Sequence, residues 1–148
     1  CQPSNSSWHG TQVATIAGAA ASDGIGMAGT AFGARILPVR VLGKCGGFDS
    51  DIVEGMLWAA GLSNDGNCRP DSQTSLTCNP NPAHVINLSL GGPGACEPAY
   101  VAAVQRITAA GRVVVAAVGN SRGHAVGSPA NCPGVIGVVG LRHAGTKV

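Results

Sequence analysis

Two short stretches of the sequence place a polar, reactive side chain next to glycine. His9 precedes Gly10 in "SSWHGTQVATIAG", and Asn120 follows Gly119 in "VVVAAVGN". An imidazole is a frequent general base, and an amide N–H can stabilise negative charge that develops on an oxygen atom. Taken locally, however, a histidine at a helix start is usually a capping or core residue, and an asparagine after a strand is usually a turn residue. The elements that carry the two residues therefore matter.

The apolar pattern predicts alternating helices and strands. Thr11, Ala14, Thr15 and Gly18 recur at three- and four-residue spacing, which indicates a helix with a small-residue face. Helices are predicted at 6–18, 49–63 and 98–111, with Asp49 or Ser50 as the second N-cap and Gly111 as the third C-cap. Strands are predicted at 35–42, 84–90, 112–118 and 134–140.

This order predicts one α/β domain. Strands that alternate with helices pair in parallel through right-handed crossovers, so we expect a three-layer α/β/α sandwich with a mainly parallel sheet. The length of 148 residues suits a single domain, and no repeat or linker divides it. Residues 64–82 are polar, rich in Asn and Pro, and contain two cysteines, which predicts a surface insertion.

Composition argues against two classes of partner. Charged residues make up only 11% of the chain and hydrophobic residues 45%, but no apolar run is long enough to cross a membrane. The net charge of +2 comes without a Lys/Arg cluster, and the chain has only two tryptophans, two phenylalanines and one tyrosine. Neither a nucleic acid nor a membrane is therefore an expected partner.

The six cysteines favour disulfides over a metal site. Their number is even, and they form neither a CxxC pair nor a zinc-finger spacing. Disulfides indicate an oxidising compartment, hence a secreted protein, whereas six reduced buried thiols are the alternative. Fifteen pairings are formally open. We expect Cys68 with Cys78 because both lie in the polar insertion, and by elimination Cys96 with Cys132 and Cys1 with Cys45.

A glycine motif suggests a competing function. Gly24, Gly26 and Gly29 spell GxGxxG, and Asp49 lies about twenty residues beyond, as in dinucleotide-binding proteins. That fingerprint must follow a strand and open a helix, so that helix-start N–H groups face the pyrophosphate. Here the glycines follow a helix and lead towards a strand. A nicotinamide-dependent oxidoreductase is therefore only a minor alternative.

Three segments together resemble the subtilisin-like serine proteases. They are "HGTQVA" at 9–14, "INLSLGG" at 86–92 and "VVVAAVGN" at 113–120, and the resemblance extends from residue 9 to about residue 140. It implies a secreted serine endopeptidase in which His9 is the general base and Asn120 the oxyanion-hole donor.

The resemblance covers only part of that family's catalytic domain. The family's aspartate block precedes the histidine and its Gly-Thr-Ser block follows the asparagine, and neither is present among these 148 residues. The chain, which begins at Cys1 without Met or a signal peptide, is expected to be a processed or truncated piece that is inactive alone. A protease-like scaffold used only for binding is the alternative function.

The resemblance also implies substrate contacts. Two segments flank an extended substrate backbone, and small residues line a primary specificity pocket for a large apolar side chain. The flanking residues are Gly46, Gly47, Phe48, Ser89, Leu90 and Gly91, and the pocket residues are Ala116, Ala117, Gly119 and Gly127. The "GSP" turn at 127–129 matches one whose proline is often cis.

A calcium site and further partners are implied in the same way. "ASDGIGM" at 21–27 resembles the family's calcium loop, with Asp23 as the side-chain ligand and carbonyls from Ala21, Ile25 and Met27. A plain Asp-Gly surface turn is the alternative. The expected partners are protein or peptide substrates and a propeptide or proteinaceous inhibitor, and the complete protein is expected to be a monomer.

Overall fold

A computed structural model describes residues 6–64 and 78–146 of the chain. These residues belong to two compact units, Cys1–Gly47 and Phe48–Val148, called here the first and second units. In the part of the chain that is described, no helix is long and apolar enough to cross a membrane.

The first unit is built around one helix, α1, His9–Gly18. The chain folds back over the end of α1, where the N–H of Thr30 donates to the Ile16 carbonyl at 2.9 Å and that of Ala31 to the Ala17 carbonyl at 2.8 Å. A Cβ atom at Gly18 would lie 2.8 Å from the Ile36 side chain. The predicted helix is confirmed, and at Gly18 the lack of a side chain permits this close return.

The predicted strand at 35–42 is wrong. These residues are irregular, and the nearest pairing is an isolated antiparallel bridge between Gly43 and Gly46. A strand needs a partner for its N–H and C=O groups, and none of the residues described supplies one to 35–42. Pro38 also lacks the N–H that a ladder requires. The apolar residues at 35–42 predicted a buried strand, but this pattern carries no information about whether a neighbouring strand is present to pair with it.

The second unit has a parallel sheet. Its elements in chain order are α2, Asp49–Ala59; β1, Val85–Leu88; α3, Pro98–Ala109; β2, Val113–Ala117; and β3, Val135–Val138. The strand order is β1-β2-β3, and both pairings are parallel, with Val85 opposite Val113 and Val114 opposite Val135. The α/β class and the parallel pairing predicted from the sequence are confirmed.

The core of the second unit lies on one face of this sheet. Alternate strand residues are buried there, Ile86 and Leu88 on β1 and Val114 and Ala116 on β2. They pack with the buried faces of the helices, which contribute Met56, Leu57, Val104 and Ile107. The two helices of this unit, α2 and α3, form one layer. The connection from β2 to β3 is irregular and contains no helix that could form a second layer. The second unit therefore shows two of the three predicted layers.

Several predicted helix boundaries need correction. The first helix begins at His9 and not at residue 6, and the second ends at Ala59 and not at residue 63. Phe48, rather than Asp49 or Ser50, is the N-cap of α2, and Asp49 is the first helical residue. The Asp49 carboxylate instead accepts a hydrogen bond from the Tyr100 hydroxyl on α3. At the other end of α3, Ala110 is the C-cap and Gly111 follows it with φ +74°, a left-handed conformation in which glycine is favoured.

Candidate functional site

The carboxyl ends of β1 and β2 lie at the same edge of the sheet. Leu88 pairs with Ala116, so the chain leaves both strands side by side, through 89–92 after β1 and through 118–120 after β2. Ligands of open parallel sheets bind at this edge. The amide nitrogen of Asn87 donates to the Ser89 hydroxyl at 3.0 Å, which orients the start of the first segment.

A third segment, 127–129, joins the one after β1. The Gly92 N–H donates to the Ser128 carbonyl at 2.9 Å, and the two residues form an antiparallel bridge. A Cβ atom at Gly91 would lie 2.8 Å from the Ser128 carbonyl oxygen, and one at Gly127 would overlap the Gly92 carbonyl. Both positions require glycine because the two backbones lie so close. The Ser128–Pro129 peptide bond is cis, as predicted.

A disulfide also links the connection after β1 to the connection after β2. Cys96 and Cys132 are bonded, with their Cα atoms 5.1 Å apart. The predicted pairing of these two cysteines is confirmed. Cys96 lies just before α3 and Cys132 just before β3, so the bond fixes the connection after β1 to the connection after β2.

Asn131 was not predicted and also bridges these connections. Its side-chain amide nitrogen donates to the Gly94 carbonyl at 2.8 Å and to the Val126 carbonyl at 3.1 Å. In the sequence it is one polar residue in the turn-rich "SPANCPG" stretch, and asparagine is common in turns. Nothing in that pattern distinguishes it from an ordinary loop residue.

Asn120 is exposed and follows β2, with Val118 and Gly119 between it and the end of the strand. Gly119 before it has φ +98°, a conformation that L side chains rarely adopt, so glycine is needed where the chain leaves the strand. An exposed amide at this edge is available to a ligand. The role of Asn120 as an oxyanion-hole donor stays a prediction.

His9 and two of the predicted substrate residues belong to the first unit. His9 is the first residue of α1 and is exposed, and Trp8 before it is the N-cap with φ +56°, which is uncommon for a bulky residue. Gly46 has φ +102°, and a Cβ atom at Gly47 would overlap the Val41 carbonyl. Since His9 and Asn120 lie in different units, their proximity stays a prediction.

Comparison with known proteins decides the family. A sequence profile of the subtilase family matches residues 2–147. The chain belongs to the subtilase family. It is 45% identical over 144 residues to the extracellular protease of Xanthomonas campestris pv. campestris, an alignment that covers 97% of this chain and 23% of the relative.

Two further relatives of this subtilase agree. The extracellular basic protease of Dichelobacter nodosus is 45% identical over 134 residues, covering 90% of this chain and 21% of the relative. A protease of Pseudoalteromonas arctica PAMC 21717 has a similar structure, with a TM-score of 0.81, 44% identity and coverage of 93% of this chain and 38% of that chain. This subtilase chain thus spans less than a quarter of the length of these two curated relatives.

The predicted calcium loop follows α1 directly. Asp23 Oδ1 accepts a hydrogen bond from the Ile25 N–H at 3.0 Å, and Ser22, Gly24 and Gly26 all have positive φ. No cluster of three or more His, Cys, Asp or Glu side chains that could hold a metal occurs within residues 6–64 and 78–146. The carboxylate of Asp23 and the backbone carbonyls of this loop are oxygen donors of the kind that Ca²⁺ accepts.

The same loop disfavours the dinucleotide alternative. Gly24 and Gly26 lie after a helix, and the segment that follows Gly29 forms no strand. A phosphate-binding turn between a strand and a helix is therefore not formed by these glycines.

Several predictions fall outside the described residues. Most of the insertion at 64–82 does so, as do Cys68 and Cys1. Cys45 and Cys78 are each disulfide-bonded. The pairings of Cys68 with Cys78 and of Cys1 with Cys45 stay predictions.

Proposed function

We propose that these 148 residues form part of the catalytic domain of a secreted serine endopeptidase. The observation that carries the proposal is the edge of the sheet, where the segment after β1 is bonded to Ser128 beside the Gly119–Asn120 turn. Membership of the subtilase family supports it, and the named relatives are extracellular proteases. The Cys96–Cys132 disulfide agrees with an oxidising, extracellular location.

In this proposal His9 and Asn120 take part in the chemistry. His9 would accept the proton of a serine nucleophile and return it to the leaving amine, while Asn120 donates a hydrogen bond to the oxyanion. The chain contains no Gly-Thr-Ser block. We therefore assign the nucleophile and the aspartate of the triad to other residues of the full-length protein.

Substrate recognition would use the flanking segments and the pocket. The substrate backbone would pair as an added strand with residues 46–48 on one side and with residues 89–91 on the other. Ala117, Gly119 and Gly127 have small side chains or none, which leaves room for a large apolar side chain before the cut bond, whereas the side chain of the fourth predicted pocket residue, Ala116, is buried in the core. The substrates are peptide bonds in proteins, and a propeptide or proteinaceous inhibitor would bind along the same segments of a monomeric enzyme.

A structural calcium ion belongs to the same proposal. Subtilases commonly bind structural calcium. Asp23 and the carbonyls of Ala21, Ile25 and Met27 would contribute ligands from the loop after α1, and the glycine turns allow several carbonyls to converge. The ion would cross-link the loop and thereby stabilise it.

A fluorophosphonate probe tests the proposed function. The full-length protein should react, because the probe labels a serine nucleophile that a general base activates. A His9→Ala variant should lose the labelling, while His124→Ala, the same change in an exposed loop, should keep it. A full-length protein that binds peptides without reacting would be a binding scaffold, and one that binds a nicotinamide cofactor instead would support the oxidoreductase alternative.

A further inference from the structure

Asn131 cross-links two segments that pass the proposed specificity pocket. One N–H of its side chain donates to the Gly94 carbonyl at 2.8 Å, 37 residues away in the chain, and the other faces the Val126 carbonyl at 3.1 Å. Val126 immediately precedes Gly127, a proposed pocket residue. Gly94 lies two residues beyond Gly92, which is itself bonded to Ser128. Asn131 thus links the segment that contains Gly94 to the segment that contains Val126.

The chemistry of this contact requires a side chain with N–H donors, such as an amide. Carbonyl oxygens only accept hydrogen bonds, so a side chain that bridges two of them must offer two N–H groups. A carboxylate of the same shape offers none and would repel both oxygens. Gly94, whose carbonyl accepts one of these bonds, has φ +120°, a conformation that favours glycine.

Two other links join these segments, but neither of them reaches Val126. The Gly92–Ser128 hydrogen bond and the Cys96–Cys132 disulfide also link the two connections. Val126 and Gly127 lie on the other side of Ser128 from the disulfide. Among the side-chain hydrogen bonds of the described residues, that of Asn131 is the one that reaches the Val126 carbonyl.

We propose that Asn131 is a positioning residue for the primary specificity pocket. It holds Val126, and through it Gly127, at a fixed distance from the loop at Gly94, and thereby sets the room available to the substrate side chain before the cut bond. This inference rests on the proposed function, since it takes Gly127 as part of the pocket. The residue acts through the backbone and touches neither the substrate nor the reacting atoms.

Substrate selectivity in the full-length protein tests this role. Two peptide substrates that differ only in having Phe or Ala before the cut bond should be compared by kcat/KM. In Asn131→Ala the preference for Phe should fall about fivefold, mostly through KM, because two hydrogen bonds are lost. Asn131→Asp should lower it further by repulsion, and Asn131→Gln, which keeps the amide, should restore part of it.

Asn79→Asp is the matched control. The Asn79 amide nitrogen donates to the Ala59 carbonyl at 3.3 Å in a buried site at the end of α2, so the same change removes a comparable bond elsewhere. It should lower the melting temperature and leave the Phe/Ala ratio unchanged. If Asn131→Asp fails to accumulate, Asn131→Ala decides.

The outcomes separate the two proposals. An active parent enzyme whose Phe/Ala ratio is the same in Asn131→Ala would overturn the positioning role and leave the protease function standing. A ratio that falls equally in Asn79→Asp would do the same, because it would reflect general destabilisation. A full-length protein that cleaves neither peptide and does not react with the fluorophosphonate would overturn the proposed function and this inference with it.

Discussion

The hydroxyl of Tyr100 donates a 2.7 Å hydrogen bond to Asp49 Oδ1, across 51 residues of chain. Tyr100 is only 2% exposed on α3, and Asp49 is the first residue of α2, so the bond fixes the start of one helix against the other. Burial, together with the bond to the Asp49 carboxylate, raises the pKa of Tyr100 well above its usual value. The neutral phenol is therefore the form that the fold stabilises.

Because of this pKa shift, the free energy of unfolding should decrease at alkaline pH. Below a pH of about 10, which is the usual pKa of tyrosine in an unfolded chain, the contribution of Tyr100 to the free energy of unfolding is fully present. At higher pH the unfolded state ionises before the folded state does, so this contribution is lost as the pH rises towards the pKa of the folded state. Denaturation of the full-length protein between neutral pH and pH values above about 10 should show this loss. In Tyr100→Phe the loss should be smaller, and parallel curves for the two proteins would contradict the role assigned to the pair.

Arg106 should stabilise the segment that follows α2 through hydrogen bonds to its backbone. Its guanidinium donates to the Ser63 carbonyl at 2.5 Å and to the Asn64 carbonyl at 3.4 Å. Arg106→Ala should lower the free energy of unfolding by about 1–2 kcal/mol, because two acceptors lose a charged donor. Chemical denaturation of the full-length protein measures it, with Arg122→Ala, in an exposed loop, as the control that should change little.

Gly127→Ala should damage the candidate site. The added Cβ atom would overlap the Gly92 carbonyl, which is backbone and cannot rotate away, so the bridge between Gly92 and Ser128 must open. We expect a loss of about 1–3 kcal/mol in stability and a larger loss in kcat/KM for substrates with a large apolar side chain. Gly33→Ala is the control, since nothing lies within 4 Å of its Cβ position. Equal effects of the two substitutions would show that the close approach is not needed.

The sequence predicted local structure where the chemistry is local. The strand at 113–117 and the helix with Met56 and Leu57 follow from apolar spacing, and glycine at 111 follows from the helix end. The strand expected at 35–42 failed because apolar residues indicate burial but do not provide a hydrogen-bonding neighbour.

The candidate site was predictable only in part, for the same reason. Gly119 and Asn120 follow a strand in the sequence, so the carboxyl-edge rule locates them. The Asn131 side chain donates to two carbonyls, one of which is 37 residues away in the chain, and no spacing in the sequence predicts that contact. The capping position of Phe48 was missed likewise, because the Asp49 side chain is used by Tyr100 on another helix.

Chelation should destabilise the full-length protein if the loop after α1 binds calcium. An ion that binds the folded state alone raises the melting temperature by mass action, so its removal must lower it. Asp23 supplies the only carboxylate of the proposed ligand set, and Ca²⁺ requires six to eight oxygens, so Asp23→Asn should weaken binding and abolish most of the response to a chelator. Glu54→Gln, which removes an exposed charge from α2, is the matched control and should respond like the parent protein. Thermal denaturation with a chelator and with added calcium distinguishes the cases.

An unchanged melting temperature in the parent protein would exclude a stabilising calcium ion. Equal responses in the parent and in Asp23→Asn would place the ion elsewhere. Asp23 would then be only the residue of an Asp-Gly turn whose Oδ1 accepts a hydrogen bond from the Ile25 N–H.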